Sequence, residues 1–595
     1  SRIRKIRRRK KKGRGEGGGD FEGGMIYIKE LYIKNFKSIE EERIQFNKGL
    51  NVLVGPNNAG KTNIIDALDL LLGDVYLPNF EPSTDHFFNG EENREIIIEA
   101  SLEDLKGGEL REINPEFKSL VTVRYKFSKQ NGGSFEVKIG DQWKKQYDKP
   151  FRYYWDFEKK LFFLRVKSLR NIMEIAPIRW KSPLKYFKDK IIKKVDKEEL
   201  NNIISEINKL KKKLTEIEEV QKIISELEKI FKDQIYVKKV SISPSSTKTS
   251  DFLNEMKILI DDDYEAEVIK KGFGTQNLII ISLFILMAKY MSEEDKRFII
   301  YGFDEPEIGL HPHSQRQLIF HLKKLSTYSQ VIITTHSEHL IDLTQIDNVI
   351  RIGKENNKTK HYKINLTSYA RKKLEIHGRN LEEIFFAKRA LIVEGDTEEG
   401  FFPEASKKVV ERNGETEENY SFDYNSVSVI NGEGDSIWFF AKLLKRLNIS
   451  FVMLIDDDKL YNDKNLFLKK LEENNLIKKK KADELRNIDD KEKIKEILKE
   501  YNIFVLPPFE KTISEKSNKK TLKKIIKAIE SVKKRWGYEI KDMNYETNNT
   551  DLKEKVFKLL KDNKKWRIGK AIAQKLKYNE IPEDYIEIIK KVSKL

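Results

Sequence analysis

The chain has 595 residues, 39% of them hydrophobic and 35% charged, enough for several globular domains with sizeable cores. It has no cysteine, which excludes disulfides, cysteine-based zinc ribbons and thiol nucleophiles together. A formal net charge of +18 favours a polyanion such as nucleic acid as partner. No apolar run approaches the roughly 18 residues needed to cross a membrane. The longest, Leu278 to Ala288, is broken by Ser282. With no signal peptide in view, the expectation is a cytoplasmic protein without membrane contact.

Residues 1–24 form a leader rich in Arg and Gly, with ten basic residues against three acidic ones. It reads either as a disordered basic arm or as sequence upstream of a start at Met25, the second being favoured. Ile26 to Phe36 then alternates apolar and polar residues, as a half-buried strand does, and Arg43 to Phe46 reads as a second strand. Leu50 to Val54 is an apolar strand that runs into Gly55-Pro56-Asn57-Asn58-Ala59-Gly60-Lys61-Thr62, the pattern G-x-x-x-x-G-K-[ST]. A helical run follows through Ile64, Ile65, Ala67, Leu68 and Leu71. In that strand–loop–helix setting, backbone N–H groups cradle phosphates at the helix N-terminus. Lys61 would reach the β- and γ-phosphates and Thr62 would bind Mg²⁺, with Gly55, Asn57, Asn58, Gly60 and Asn63 completing an ATP site.

Glu95 to Leu102 and Val121 to Phe127 read as further strands. A strand-rich opening around a P-loop suggests the head of an ABC-type ATPase rather than a plain Rossmann order. Leu200, Ile203, Ile207, Leu210, Leu214 and Ile217 step by three and four, which is heptad spacing. That helical, coiled-coil-like insertion serves either dimerisation or packing against its own head. Ser241 to Ser250 reads as a Ser-rich loop returning to the head.

Lys271-Gly272-Phe273-Gly274-Thr275-Gln276 opens a long apolar helix running to Met287. ABC ATPases place a Gly-rich signature there, facing the γ-phosphate held by the opposite protomer; only Gly272, Gly274 and Gln276 fit that pattern. Arg297 to Phe303 is a buried strand ending in Asp304-Glu305, a Walker B arrangement. Asp304 would hold Mg²⁺ and Glu305 would act as general base on the attacking water. Pro306 to Pro312 is the D-loop region. Val331 to Thr335 is the next strand, and His336 at its end suits a switch histidine.

The second half alternates strands and helices, which makes a parallel sheet. Ala390 to Val393 ends in Glu394-Gly395-Asp396-Thr397-Glu398. Val427 to Ile430 ends in Asn431-Gly432-Glu433-Gly434. Phe451 to Ile455 ends in Asp456-Asp457-Asp458, and Ile503 to Leu506 is followed by Glu510. Acids at the carboxyl ends of parallel strands converge where open α/β sheets bind ligands. Crowded carboxylates repel one another unless cations neutralise them, and oxygen-only donors suit Mg²⁺ or Mn²⁺. The Lys-rich stretches Asn465 to Glu500 and Lys511 to Arg535 read as helices with solvated faces. Trp566 to Leu576 reads as a late helix.

Taken in order, GPNNAGKTN, GFGTQ, FDEPEIGLHP, TTHS, LIVEGDTEE, INGEGD and LIDDDK make the chain from Met25 onward resemble the OLD (overcoming lysogenization defect) family of nucleases, to which the Gabija defence nucleases are related. The resemblance implies an α/β protein in which an ABC-type P-loop head with a helical insertion precedes a Toprim domain. The boundaries expected are a leader at 1–24, the head at 25–185 and 239–378, the insertion at 186–238, and Toprim at 379–595. It also implies ATP binding and hydrolysis in the head and two-metal cleavage of DNA by the Toprim domain, with Glu394, Glu398, Asp456, Asp458 and Glu510 at the metal positions. The family's catalytic lysine would fall near Lys565 or Lys570, and Lys570 is preferred. A homodimer or larger assembly and a helicase-like or other defence partner complete the expectation. A competing reading is a DNA-repair ATPase of the SMC or RecF type with a non-catalytic C-terminal domain.

Overall fold

The computed structural model describes residues 25–73, 80–105, 108–145, 160–167, 216–233, 236–244, 256–267, 270–293, 298–364, 381–413, 416–535, 548–562 and 565–595, and singly 77, 206, 209 and 213. The leader and the heptad positions Leu200 to Leu214 lie outside the described residues; Ile217 opens the helix Glu218–Lys232. The chain forms two compact units, Ser1–His361 and Tyr362–Leu595. Among the described residues, no helix is long and apolar enough to cross a membrane.

In the first unit, β1 (Ile26–Phe36), β2 (Ile39–Gln45), β4 (Ile96–Asp104), β5 (Leu120–Ser128), β6 (Gly132–Ile139) and β7 (Gln142–Lys145) build an antiparallel sheet ordered β2-β1-β4-β5-β6-β7. β4 buries every second side chain, the signature of a sheet with one face on a core. The second sheet is ordered β15-β14-β3-β13-β12-β8, where β3 is Leu50–Val54, β8 Leu161–Lys167, β12 Phe298–Asp304, β13 Gln330–Thr334, β14 Val349–Glu355 and β15 Lys358–Lys363. β3, β8, β12, β13 and β14 pair in parallel. Its central strands β3, β12 and β13 are buried along nearly their whole length, as strands covered on both faces are. One core joins both sheets around the P-loop helix Lys61–Leu72: Leu31 and Ile98 from one sheet, Ile300 and Ile332 from the other, Ile64 and Leu68 between.

The expected Ser-rich loop is in part a strand. β9 (Lys239–Pro244) pairs antiparallel with β10 (Met256–Asp261), which pairs with β11 (Glu265–Glu267). Val240 and Ile242 alternate with Ser241 and Ser243, a period-two pattern that the serine content hides.

The second unit holds β16 (Arg389–Val393), a small hairpin of β17 (Val410–Asn413) and β18 (Thr416–Asn419), then β19 (Val427–Asn431), β20 (Ser450–Asp456) and β21 (Ile503–Leu506). Its main sheet is parallel throughout and ordered β19-β16-β20-β21. From β16 the chain goes to one side for β19 and to the other for β20, so the order reverses between β16 and β20. Helices Asp396–Ser406, Phe509–Lys516, Lys519–Arg535, Asn549–Lys561, Trp566–Lys575 and Glu583–Lys594 share a core with it through Phe402, Ile513, Ile526, Val556, Ile572 and Ile589. Helices 396–406 and 566–575 cross at two glycines. A Cβ on Gly569 would lie 1.8 Å from the Thr397 carbonyl oxygen, and one on Gly400 would lie 1.9 Å from that of Trp566.

Candidate functional site

The P-loop turns through left-handed backbone at Gly55 (φ 140°), Asn58 (φ 61°) and Gly60 (φ 103°), which aims the start of the helix back at the loop. Lys61 is buried, and its ammonium donates to the carbonyls of Gly55 (2.9 Å) and Pro56 (3.0 Å). Burial lowers its pKa to about 8, against the pull of Glu305 and Glu307. Asn57, Asn58 and Thr62 are exposed at the mouth of the loop. Asn63 instead donates to the Ser38 hydroxyl at 2.6 Å, tying the helix to the β1–β2 turn.

Between the P-loop strand and the Walker B strand lies β13, which brings three expected residues together. Glu305 takes a left-handed backbone (φ 47°), and its N–H donates to the Thr334 carbonyl at 3.0 Å. His336 Nε2 is 3.5 Å from Glu305 Oε1. Burial and the nearby Lys61 depress the imidazole, which favours its neutral form. Glu307, which the sequence reading passed over, accepts from the Thr335 hydroxyl (2.7 Å) and the His336 N–H (2.8 Å) and so fixes the loop carrying the histidine. Asp304 has a partner that sequence did not suggest: Arg165 on β8 donates to its Oδ2 through Nε (2.9 Å) and Nη2 (2.8 Å). Burial raises the Asp304 carboxyl, and Arg165 opposes that rise.

Gly272 precedes the helix Phe273–Glu293, as the sequence implied. The Gln276 side chain folds back to donate to the Lys271 carbonyl at 2.6 Å, and Lys271 in turn donates to the Tyr264 carbonyl at 2.7 Å.

In the second unit, Glu394 and Asp456 end neighbouring strands at the point of reversal, where open α/β sheets take ligands. Glu394 Oε1 accepts from the Asp456 N–H at 3.0 Å, and its other oxygen pairs with Lys459. Burial raises the Glu394 carboxyl. Asp456 is pushed up to about 7, first by burial and then by the negative charges of Glu394, Asp458 and Glu510. Glu510 is thus brought to the cluster from the first turn of helix Phe509–Lys516. Glu398 is buried, and its carboxylate folds back over Gly395. Glu398 and Asp456 both act on the buried Tyr585. Among the described residues, no group of three or more His, Asp or Glu side chains stands arranged to hold a metal ion. The donor chemistry nevertheless fits a hard divalent cation: every member is a carboxylate, and they repel one another.

Lys570 is placed otherwise than expected. Its ammonium lies 3.3 Å from Glu404 and 5.0 Å from the Trp566 ring centre. Glu404 lies on the facing helix Asp396–Ser406, six residues beyond Glu398, so the ion-pair partner of this lysine is not one of the expected metal ligands. An ammonium that does reach the cluster is that of Lys459, directly after Asp458, overlooked because a lysine following three aspartates reads as a solvated loop. The Lys-rich insert also departs from a simply solvated face: Lys495, 8% exposed, is bonded to Asp457 (3.1 Å) and Glu492 (2.9 Å).

Residues 26–161 and 123–341 match the family described as AAA ATPase domain, and residues 385–458 match the overcoming lysogenization defect protein-like Toprim domain. The chain belongs to the AAA ATPase domain family, and an OLD-like Toprim domain follows in the same chain. Over 72% of its length it is 25% identical to the endonuclease GajA of Bacillus cereus, covering 74% of that protein. The Old nuclease of Escherichia phage P2 is 26% identical over 73% of this chain and 78% of its own. The OLD nuclease of Thermus scotoductus is 24% identical over 62% and 71% respectively. The P-loop and the Asp304-Glu305 strand end lie in the first unit, and the acidic strand ends lie in the second.

Proposed function

We propose that this protein is an ATP-hydrolysing, divalent-metal-dependent DNA endonuclease that cuts at the acidic strand ends of its second unit. The observation that carries the reading is the meeting of Glu394 and Asp456 at the ends of neighbouring strands at the sheet's point of reversal, joined by the Asp456 N–H bond to Glu394 at 3.0 Å, with the charges of Asp458 and Glu510 helping to push the Asp456 carboxyl up. Such a group is relieved by cations, and the three relatives above are named as nucleases.

Glu394, Asp456 and Asp458 would hold one Mg²⁺ or Mn²⁺, and Glu398 with Glu510 a second. Ions held there supply an activated water and neutralise charge on the phosphodiester as it is attacked. The chain's own part is positioning. Glu394 fixes the end of β20 through the Asp456 N–H, and Lys459 supplies a positive charge beside it. In the head, Lys61 and Thr62 would hold the nucleotide phosphates, and Asp304 the accompanying Mg²⁺. Glu305 would take the proton of the attacking water, with His336 within reach of it. The Gly272–Gln276 segment would serve the nucleotide of an opposite protomer, so the working unit is at least a homodimer. The net charge of +18 supports binding to DNA phosphates.

The test is incubation of supercoiled plasmid with Mg²⁺ or Mn²⁺, with and without ATP. Asp456→Ala should abolish nicking and leave ATP hydrolysis largely intact, and EDTA should stop cutting. An Asp456→Ala protein that nicks at the wild-type rate would place the cleavage elsewhere and overturn the reading.

A further inference from the structure

Arg165 sits on β8, beside the Walker B strand, with Gly302 of β12 as its register partner. Its side chain is 11% exposed, and those of Asp304 and Asp66 are each 14% exposed. Two guanidinium nitrogens go to one oxygen, Oδ2 of Asp304, at 2.9 and 2.8 Å. The third bonds Asp66 on the P-loop helix and lies 3.5 Å from Asp69, one turn on. Asp66 is also paired with Lys37 of the β1–β2 turn. Among the described residues, the other oxygen of Asp304, Oδ1, accepts only a long bond from the Thr334 hydroxyl at 3.3 Å.

We propose that Arg165 is a positioning residue of the nucleotide site: it occupies one oxygen of Asp304, leaves the other free for the nucleotide's Mg²⁺, and ties that carboxylate to the helix bearing Lys61 and Thr62. The inference rests on reading those residues as an ATP site. A planar guanidinium presents several donors in a fixed fork, so it can hold two carboxylates on two elements at once. An ammonium at the same position keeps the charge but cannot reproduce the fork. Asp66 lies five residues after Lys61 on one rigid helix, so holding Asp66 against Asp304 also sets the spacing between the phosphate-binding and Mg²⁺-binding ends of the site.

The experiment measures equilibrium binding of a fluorescent ATP analogue to the full chain, once in EDTA and once across a Mg²⁺ titration, with thermal melting alongside. Arg165→Gln should bind the analogue in EDTA as wild type does, yet lose about tenfold or more of the tightening that Mg²⁺ gives. Arg165→Lys should fall between the two. Asp66→Asn, which leaves the bonds to Asp304 in place, should lose less than Arg165→Gln. Equal Mg²⁺-dependent tightening in Arg165→Gln and wild type would overturn the proposal. So would an equal loss in EDTA and in Mg²⁺ with a lowered melting point, the mark of a purely structural brace. If Arg165→Gln does not fold, Arg165→Lys decides, and wild-type Mg²⁺ dependence in it overturns the proposal. A wild-type chain that binds no ATP with Mg²⁺ refutes the ATP reading itself, a result seen without any variant.

Discussion

Replacing Gly569 by Ala probes how closely two helices must approach for the acidic site to hold its shape. The added methyl would sit 1.8 Å from the Thr397 carbonyl oxygen, and ordinary contact begins at 3.4 Å. The helices must therefore part by about 1.6 Å, because a backbone carbonyl cannot rotate aside as a side chain can. Two effects oppose each other. Alanine is the better helix former by about 1 kcal/mol. Overpacking a tight interior costs about 1–3 kcal/mol, and more where the obstacle is backbone. The second wins, so the second unit should melt several degrees lower, at roughly 2–4 °C for each kcal/mol. Thr397 directly precedes Glu398, so the displacement reaches the proposed metal ligands, where a shift of about 1 Å can cost about 100-fold in rate. Thermal melting and plasmid nicking are the assays. A Gly569→Ala protein that melts and nicks like wild type would show that the crossing has slack and that the argument fails.

Glu305→Gln should retain bound ATP and slow turnover by roughly 10²–10⁴-fold through loss of the general base, as measured by phosphate release; unchanged hydrolysis removes Glu305 from that role. Lys570→Ala should leave nicking within about tenfold of wild type, because its ammonium serves Glu404; abolished nicking with intact folding would restore it as the catalytic lysine. His321 is held neutral in the folded head, its pKa lowered by burial from 6.5 to about 4, with Lys324 adding to the effect. The unfolded chain binds the extra proton between those values, so this contribution is complete above pH 6.5 and is lost as pH falls toward 4. It amounts to about 3 kcal/mol at most, and urea unfolding of His321→Asn should show a correspondingly flatter dependence between pH 7.5 and 5. Light scattering with ATP present should find at least a dimer, and a monomer at micromolar concentration would count against the shared nucleotide site.

Much of the molecule was readable wherever chemistry and local pattern coincide. Gly55 to Thr62, Asp304-Glu305 and the acids after β16 and β20 are short stretches whose meaning is set by neighbours in sequence. The strands came out within a residue or two where apolar runs or alternation are clean, as in β4 and β12. What escaped was pairing at a distance. Nothing near Arg165 in sequence announces Asp304, since the pair is made by two parallel strands whose connection runs through more than a hundred residues. Lys570 and Lys459 illustrate the same limit. A lysine's long stem lets it choose among several acids, so its position in sequence does not give its partner. Gly400 and Gly569 look like ordinary helix glycines until the two helices are seen to touch there. Lys495 was hidden by composition: among so many exposed lysines, the one turned inward has no distinguishing neighbour.

The bond from the Asp456 N–H to Glu394 spans 62 residues, Glu510 comes later still, and the helix that braces Glu398 begins only at Trp566. Contacts of such separation form slowly, and a chain emerging from the ribosome folds from its N-terminal end. A growing chain would thus own a folded ATPase head well before it owns the means to cut DNA. A polypeptide released short of Gly569 would carry all five acids without the crossing that holds helix 396–406 in place. If the acidic strand ends cut DNA, late assembly of that site would leave the fragments from damaged messages and premature stops without a complete cutting site.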